Sequence, residues 1–189
     1  MASTFNTPAG QTIARELMIA YLNTGTESSP VWSPFGKRTT DSSIEYDWSE
    51  ETSQDILGNT FTTMKKPVMT QTFDPWELDS ANAAQQLIYQ KAIVEQDAQA
   101  LTNMDVMIAH FYSGSTNAAF AERYRSCMVK PASLGGEGGG NLDMPVDVTY
   151  GGERTVGTVS KSSSGAVTFS AGSATVSTYS NGKAAGGND

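Results

Sequence analysis

One cysteine and one histidine are all that the 189 residues contain. A disulfide framework needs paired thiols, and a zinc centre needs several Cys or His ligands together, so both are excluded. Most histidine-based catalysis falls with them. Positive charge is scarce as well: 12 Lys and Arg stand against 20 Asp and Glu, a formal net charge of −8. A protein that grips nucleic acid through its phosphates is basic, so tight DNA or RNA binding is not expected here. No stretch approaches the roughly 18 apolar residues of a membrane span. The start, Met1-Ala2-Ser3-Thr4-Phe5, lacks the charged residues and apolar run of a secretory signal. The lone Cys127 suits a reducing compartment, or a protein that does not rely on disulfides.

What the chain does have is Ser and Thr in quantity, 18 Gly, and a 38% share of hydrophobic residues. That supports a core and favours turns and strands over helical bundles. The length fits one domain, and the fold class expected is mainly β with some α.

Local patterns divide the chain. Ile13, Leu17, Ala20 and Tyr21 fall near one helical face, with Asn23 and Gly25 as a stop, which predicts an N-terminal helix or arm within 1–30. From Ser42 to Ser49 the residues alternate: Ile44, Tyr46 and Trp48 point one way, Ser43, Glu45, Asp47 and Ser49 the other. Such a period of two marks a half-buried strand, and Glu51, Ser53 and Asp55 continue it in phase. Residues 61–64 and 68–73 read as two more strands around the turn Lys65-Lys66-Pro67. Asp74-Pro75-Trp76-Glu77 has the pattern of a helix start, and Ser80–Leu101 predicts one long helix with the stripe Ala84, Leu87, Ile88, Val94, Ala98 and Leu101. Beyond it, 104–112, 120–129, 144–150, 155–160 and 166–170 read as strands. The Ser-, Ala- and Gly-rich end, 171–189, has the composition of a mobile tail.

No segment carries recognisable chemistry. The glycine run 135–140 is followed by Asn141-Leu142-Asp143-Met144-Pro145 rather than by a Lys-Ser/Thr helix start, so a loop between strands accounts for it better than a phosphate cradle. Cys127 in an apolar strand is a packing residue, and His110 between Ala109 and Phe111 is a hydrogen-bonded core histidine. No catalytic residue, cofactor or metal site is expected. The carboxylates Glu45, Asp47, Glu51 and Asp55 are expected on one wet strand face.

Several segments together resemble the major tail tube protein of long-tailed bacteriophages and prophages with non-contractile, siphophage-type tails. They are Trp32-Ser33-Pro34-Phe35-Gly36-Lys37, Asp41-Ser42-Ser43, Glu51-Thr52-Ser53-Gln54-Asp55-Ile56-Leu57-Gly58 and Gln71-Thr72-Phe73-Asp74-Pro75. Late in the chain, the run from Pro145 to Val159 fits the same family. The resemblance spans about residues 10 to 170 in order. It implies a β-sandwich or partly open barrel flanked by one long helix over 1–170. Six copies would form a hexameric ring with an inter-subunit β-barrel, and rings would stack into a hollow tube conducting double-stranded DNA from capsid to host. The implied partners are further copies, a tape measure protein, and distal tail and tail terminator proteins. Assembly would take place in the host bacterial cytoplasm, the product being the virion tail, with no membrane partner. Glu45, Asp47, Glu51 and Asp55 would then face the lumen. Loops 33–42 and 59–67 and the termini would join stacked rings. The alternatives are another head–tail or tail-completion ring protein, or a carbohydrate-binding β-sandwich module, which would need exposed aromatics. Trp48 and Trp76 are both expected in core or interface.

Overall fold

The computed structural model describes residues 5–115 and 117–172. Most of the expected tail lies outside them. After a single 3-10 turn at Arg15–Leu17, the chain forms β1 (Met18–Asn23), β2 (Trp32–Pro34), β3 (Ile44–Asp47), β4 (Glu50–Gln54), β5 (Thr60–Met64) and β6 (Val68–Phe73). Helices α1 (Ala83–Tyr89) and α2 (Ala98–Leu101) follow. Then come β7 (Met104–Ser115), β8 (Ala118–Pro131), β9 (Val146–Tyr150), β10 (Arg154–Lys161) and β11 (Val167–Ala171). The class is mainly β with α, as expected.

All pairings are antiparallel. One sheet runs β2-β1-β7-β8-β9-β6-β3, and β10 with β11 branches from β8. The branch is possible because β8 is 14 residues long. Residues 118–127 pair with β7, and 119–124 of them also with β10, while the last four residues, 128–131, pair with β9. One long strand thus serves two sets of neighbours along its length. The sheet does not close into a barrel. Among the described residues β2, β3 and β11 each have one strand partner, and β4–β5 stand apart as a two-stranded ribbon.

Two apolar clusters hold this arrangement. The larger packs Leu22, Val106, Ile108, Val146 and Val148 against Trp76 and α1's Ala84 and Ile88. The smaller, on the other side of β1 and β7, joins Tyr21, Met107 and Ala109 to Trp32 and Val159, with Phe169 of β11 over it. Close approach of β11 needs glycine in β10: a Cβ on Gly157 would meet Ser170 O at 2.3 Å and the Phe169 ring at 2.7 Å.

Three local expectations give way to tertiary structure. The N-terminal helical periodicity yields only one 3-10 turn, and the helix is replaced by β1. Ala20 and Leu22 enter one cluster while Tyr21 enters the other, so the strand is buried on both faces. A continuous apolar run of that kind mimics a helix in sequence. No helix starts at Asp74-Pro75-Trp76-Glu77. The Trp76 indole is fully buried against Phe35 and Phe73, and the backbone there bonds across to residues 141–144, with Leu78 N–H on Leu142 O at 2.8 Å and Met144 N–H on Trp76 O at 3.1 Å. Helix α1 instead starts at Asn82, whose side chain accepts from the Gln85 N–H. The expected long helix also breaks. A π turn at Gln90–Val94 leads to Gln96, whose φ of +52° ends it, and Asp97 caps the short α2 by accepting from Ala100 N–H. Ala84 and Ile88 are buried as the stripe requires, but Val94 and Ala98 are exposed.

Candidate functional site

The outward face of β3–β6–β9–β8 is the first feature. In β6, Val68, Thr70 and Thr72 are exposed while Met69, Gln71 and Phe73 are buried, a strict period of two. Register then builds the face from neighbours: Glu45 beside Thr70, Thr70 beside Thr149, Asp47 beside Val68, and Thr72 beside Asp147. Thr72 Oγ1 donates to Asp147 Oδ1 at 2.8 Å, and Lys130 of β8 lies 3.4 Å from Asp147 Oδ2. At the β3 edge a shallow cleft of about 260 Å³ adds Asp41 and Asp74 beside Glu45. The result is a hydroxyl-rich, mainly anionic surface. Thr70, Thr72 and Asp147 were not singled out from sequence, although the alternation in 68–73 and 146–150 was there to indicate them.

Of the four carboxylates expected on one strand face, only Glu45 and Asp47 share a strand. The strand read as continuous from 42 to 57 breaks at Ser49, whose φ is +44° and whose N–H is accepted by Asp47 Oδ1 at 3.0 Å. Beyond the break the chain pairs with β5 rather than β6. Glu51 forms an ion pair with Lys65 at 2.8 Å. Asp55 lies past the end of β4 and organises the turn that joins the ribbon's strands. Its Oδ1 accepts from Asn59 N–H at 2.8 Å and from Leu57 N–H at 2.9 Å, and its Oδ2 from Asn59 Nδ2 at 2.9 Å. The Asn59 side-chain and backbone donors hold this carboxyl below its ordinary range.

The ribbon itself is the second feature. All ten residues of β4 and β5 are exposed. At its tip Ile56 is 102% and Leu57 81% exposed, and Phe61 and Met64 are exposed along β5. The tip is ordered rather than loose, because Asp55 fixes it, Gln54 Nε2 donates to Gly58 O at 3.0 Å, and Gly58 takes a φ of +82° that glycine adopts without strain. Large apolar side chains exposed together at a defined turn form an apolar surface patch.

At the ribbon's base is the third feature, a cleft of about 470 Å³ lined by Tyr46, Trp48, Met69, Tyr150, Lys66 and Arg154, among others. Trp48 is not in the core: it is 46% exposed just past β3 and stacks on half-exposed Tyr46, ring centres 6.2 Å apart. Both belong to the phase that points toward the core, but β3 is the sheet's last strand, so their rings project beyond what could cover them.

Behind the cleft lies a buried ionic cluster. Glu122 Oε1 is 3.0 Å from His110 Nε2, while Oε2 accepts from Tyr124 Oη at 2.8 Å and from Arg154 Nε. His110 Nδ1 is 2.7 Å from Tyr112 Oη. Burial alone would push the Glu122 carboxyl up; the hydrogen bonds from His110 and Tyr124, with the charge of Arg154, outweigh it and bring it to about 2. Both Glu122 oxygens and both His110 nitrogens are thus engaged inside the protein. Cys127 is fully buried, and burial pushes its thiol up to about 12, so it is a packing residue. Among the described residues no group of three His, Cys, Asp or Glu could hold a metal ion, and no helix is long and apolar enough to cross a membrane. The Glu122 contacts tie β7, β8 and β10 together.

Fold and surfaces together define an antiparallel β-fold with single-partner edge strands among the described residues, an acidic sheet face and an exposed apolar-tipped ribbon. No family model matches the chain, and no curated protein matches it. Among solved structures it is similar to a chain of the sheath–tube complex of an extracellular contractile injection system in the extended state, at 8% identity and a TM-score of 0.49, covering 80% of this chain and 95% of that one. It is similar also to a chain of the sheath/tube terminator of an extracellular contractile injection system, at 9% identity and a TM-score of 0.49, over 79% and 99% of the two chains. A third is the tube-terminating cap of the anti-feeding prophage, at 15% identity and a TM-score of 0.45, over 81% and 95%.

Proposed function

We propose that this chain is a structural subunit of a hollow phage-type tail tube of the siphophage kind. Hexameric rings join through strand edges and stack along an axis, and double-stranded DNA passes through the bore. The observation that carries the reading is the β4–β5 ribbon, wholly exposed yet tipped with Ile56 and Leu57. Such a ribbon is marginal by itself and gains stability only when other copies cover it. The single-partner edges β3 and β11 supply a second kind of contact, since pairing across subunits satisfies their open hydrogen-bonding groups. One heterologous contact that closes makes a ring, and another that does not close makes a stack. The tape measure, distal tail and terminator proteins are the further partners of such a tube, assembled in the bacterial cytoplasm and carried in the virion tail. No catalytic step is part of this role.

The bore is assigned to the face of Glu45 and Asp47 with Thr70, Thr72 and Asp147. Carboxylates repel phosphates over about one Debye length, roughly 8 Å at physiological salt, so DNA passes without being held. Glu51 and Asp55 stand on the separate β4–β5 ribbon rather than on this sheet face. Negative-stain microscopy of the purified protein tests the reading. Tubes of indefinite length support it, single rings support a connector, terminator or cap, and a protein that stays monomeric at all concentrations overturns it. A second reading, a carbohydrate-binding module, draws on the half-exposed Tyr46–Trp48 pair. Glycan binding by a monomer without assembly would favour it.

A further inference from the structure

We infer that the ribbon tip of one copy seats in the Tyr46–Trp48 cleft at the ribbon base of a second copy, so that successive copies engage tip to base. The inference rests on the tube-subunit reading and names the receptor for its ribbon. The tip presents Ile56 and Leu57 on a turn fixed by Asp55, whose carboxylate lies directly beside them. It is apolar at its end with one negative charge behind. The cleft is the complement: an aromatic pair at half exposure, with Lys66 and the Glu122–Arg154 pair on its walls, a net positive lining in a chain of net charge −8. Lys66 has no ion-pair partner among the described residues, and Arg154 keeps 40% of its side chain in solvent although it binds Glu122. A cavity of about 470 Å³ lies within the range of about 300–1,000 Å³ that receives compact ligands.

Another large apolar groove, lined by Met18, Phe35 and Phe73, is a poorer receptor. Phe35 and Phe73 are already buried, Arg15 is bound to Ser42 O, and Lys37 is paired with Asp79. A copy cannot fill its own cleft, since five extended residues place the tip about 17 Å from the base. The contact is therefore between copies; made in one direction and without closure, it generates an open stack.

The test pairs single-cysteine variants. L57C protein is mixed with W48C protein, allowed to assemble, oxidised, and read by non-reducing electrophoresis and mass spectrometry; buried Cys127 stays silent. A covalent L57C–W48C dimer, absent when either variant is oxidised alone, is the expected result. Tubes that form without that dimer, or an L57C–M18C dimer in its place, overturn the inference and leave the tube reading standing. Wild-type protein that forms no tubes overturns both. As an independent measure, I56D/L57D protein should keep its melting temperature, both residues being exposed, and need about tenfold or more protein to assemble. Assembly of I56D/L57D at the wild-type concentration also overturns it.

Discussion

Replacing Glu122 by Gln isolates the cluster behind the cleft. The carboxylate ties β8 to β7 through His110 and to β10 through Arg154, and Gln keeps its shape while removing its charge. The Glu122 carboxyl is brought from its ordinary 4.5 to about 2. A depressed pKa contributes stability above the unfolded value and loses it as pH falls through the folded one. Each unit is worth about 1.4 kcal/mol, so the carboxylate contributes about 3 kcal/mol above pH 5, about 1 at pH 3, and almost nothing below pH 2. Glu122 is 8% exposed, so solvent screening takes little from this figure. Urea unfolding of wild-type and E122Q protein at low concentration, at pH 7 and again at pH 3, measures it. The expected destabilisation is about 3 kcal/mol at pH 7, shrinking by about 2 at pH 3. A difference below about 1 kcal/mol at pH 7, or one that does not change with pH, refutes the reasoning.

Trp76→Ala empties a fully buried site against Phe35 and Phe73 and should cost about 3–5 kcal/mol, seen as a lower melting temperature. Cys127 should react with a thiol reagent only on unfolding, because burial both shields it and pushes its thiol up to about 12; prompt labelling of native protein would contradict this. E45K/D47K protein should still fold, both residues being exposed, but in tubes it should retain short duplex DNA that wild-type tubes exclude, in a salt-sensitive way. Equal retention by both would remove β3 from the bore.

Composition and period two determined a good deal. The apolar run 104–112 forms the first nine residues of β7, the strands read at 61–64, 68–73, 120–129 and 155–160 all form, and the paucity of Cys and His excludes a disulfide framework and a Cys/His zinc centre. These are local signals, because alternation of side chains follows from strand geometry itself. Other features depended on partners far along the chain. Met18–Leu22 is a strand because β2 and β7 flank it and apolar residues cover both faces. Asp74–Glu77 lost its helix start because burying Trp76 and bonding to residues 141–144 outweighed a local cap. The acidic face shows the division best. Sequence placed Glu45 and Asp47 together on β3, but the turn at Ser49 sent Glu51 and Asp55 onto a separate ribbon, and pairing with β9 put Asp147 in the same face. Trp48 turned outward for a related reason: β3 ends the sheet, and no further strand covers it within the described residues. Which strands become edges, and what lies across each face, is settled by the sum of distant contacts, and no window of neighbouring residues contains that sum.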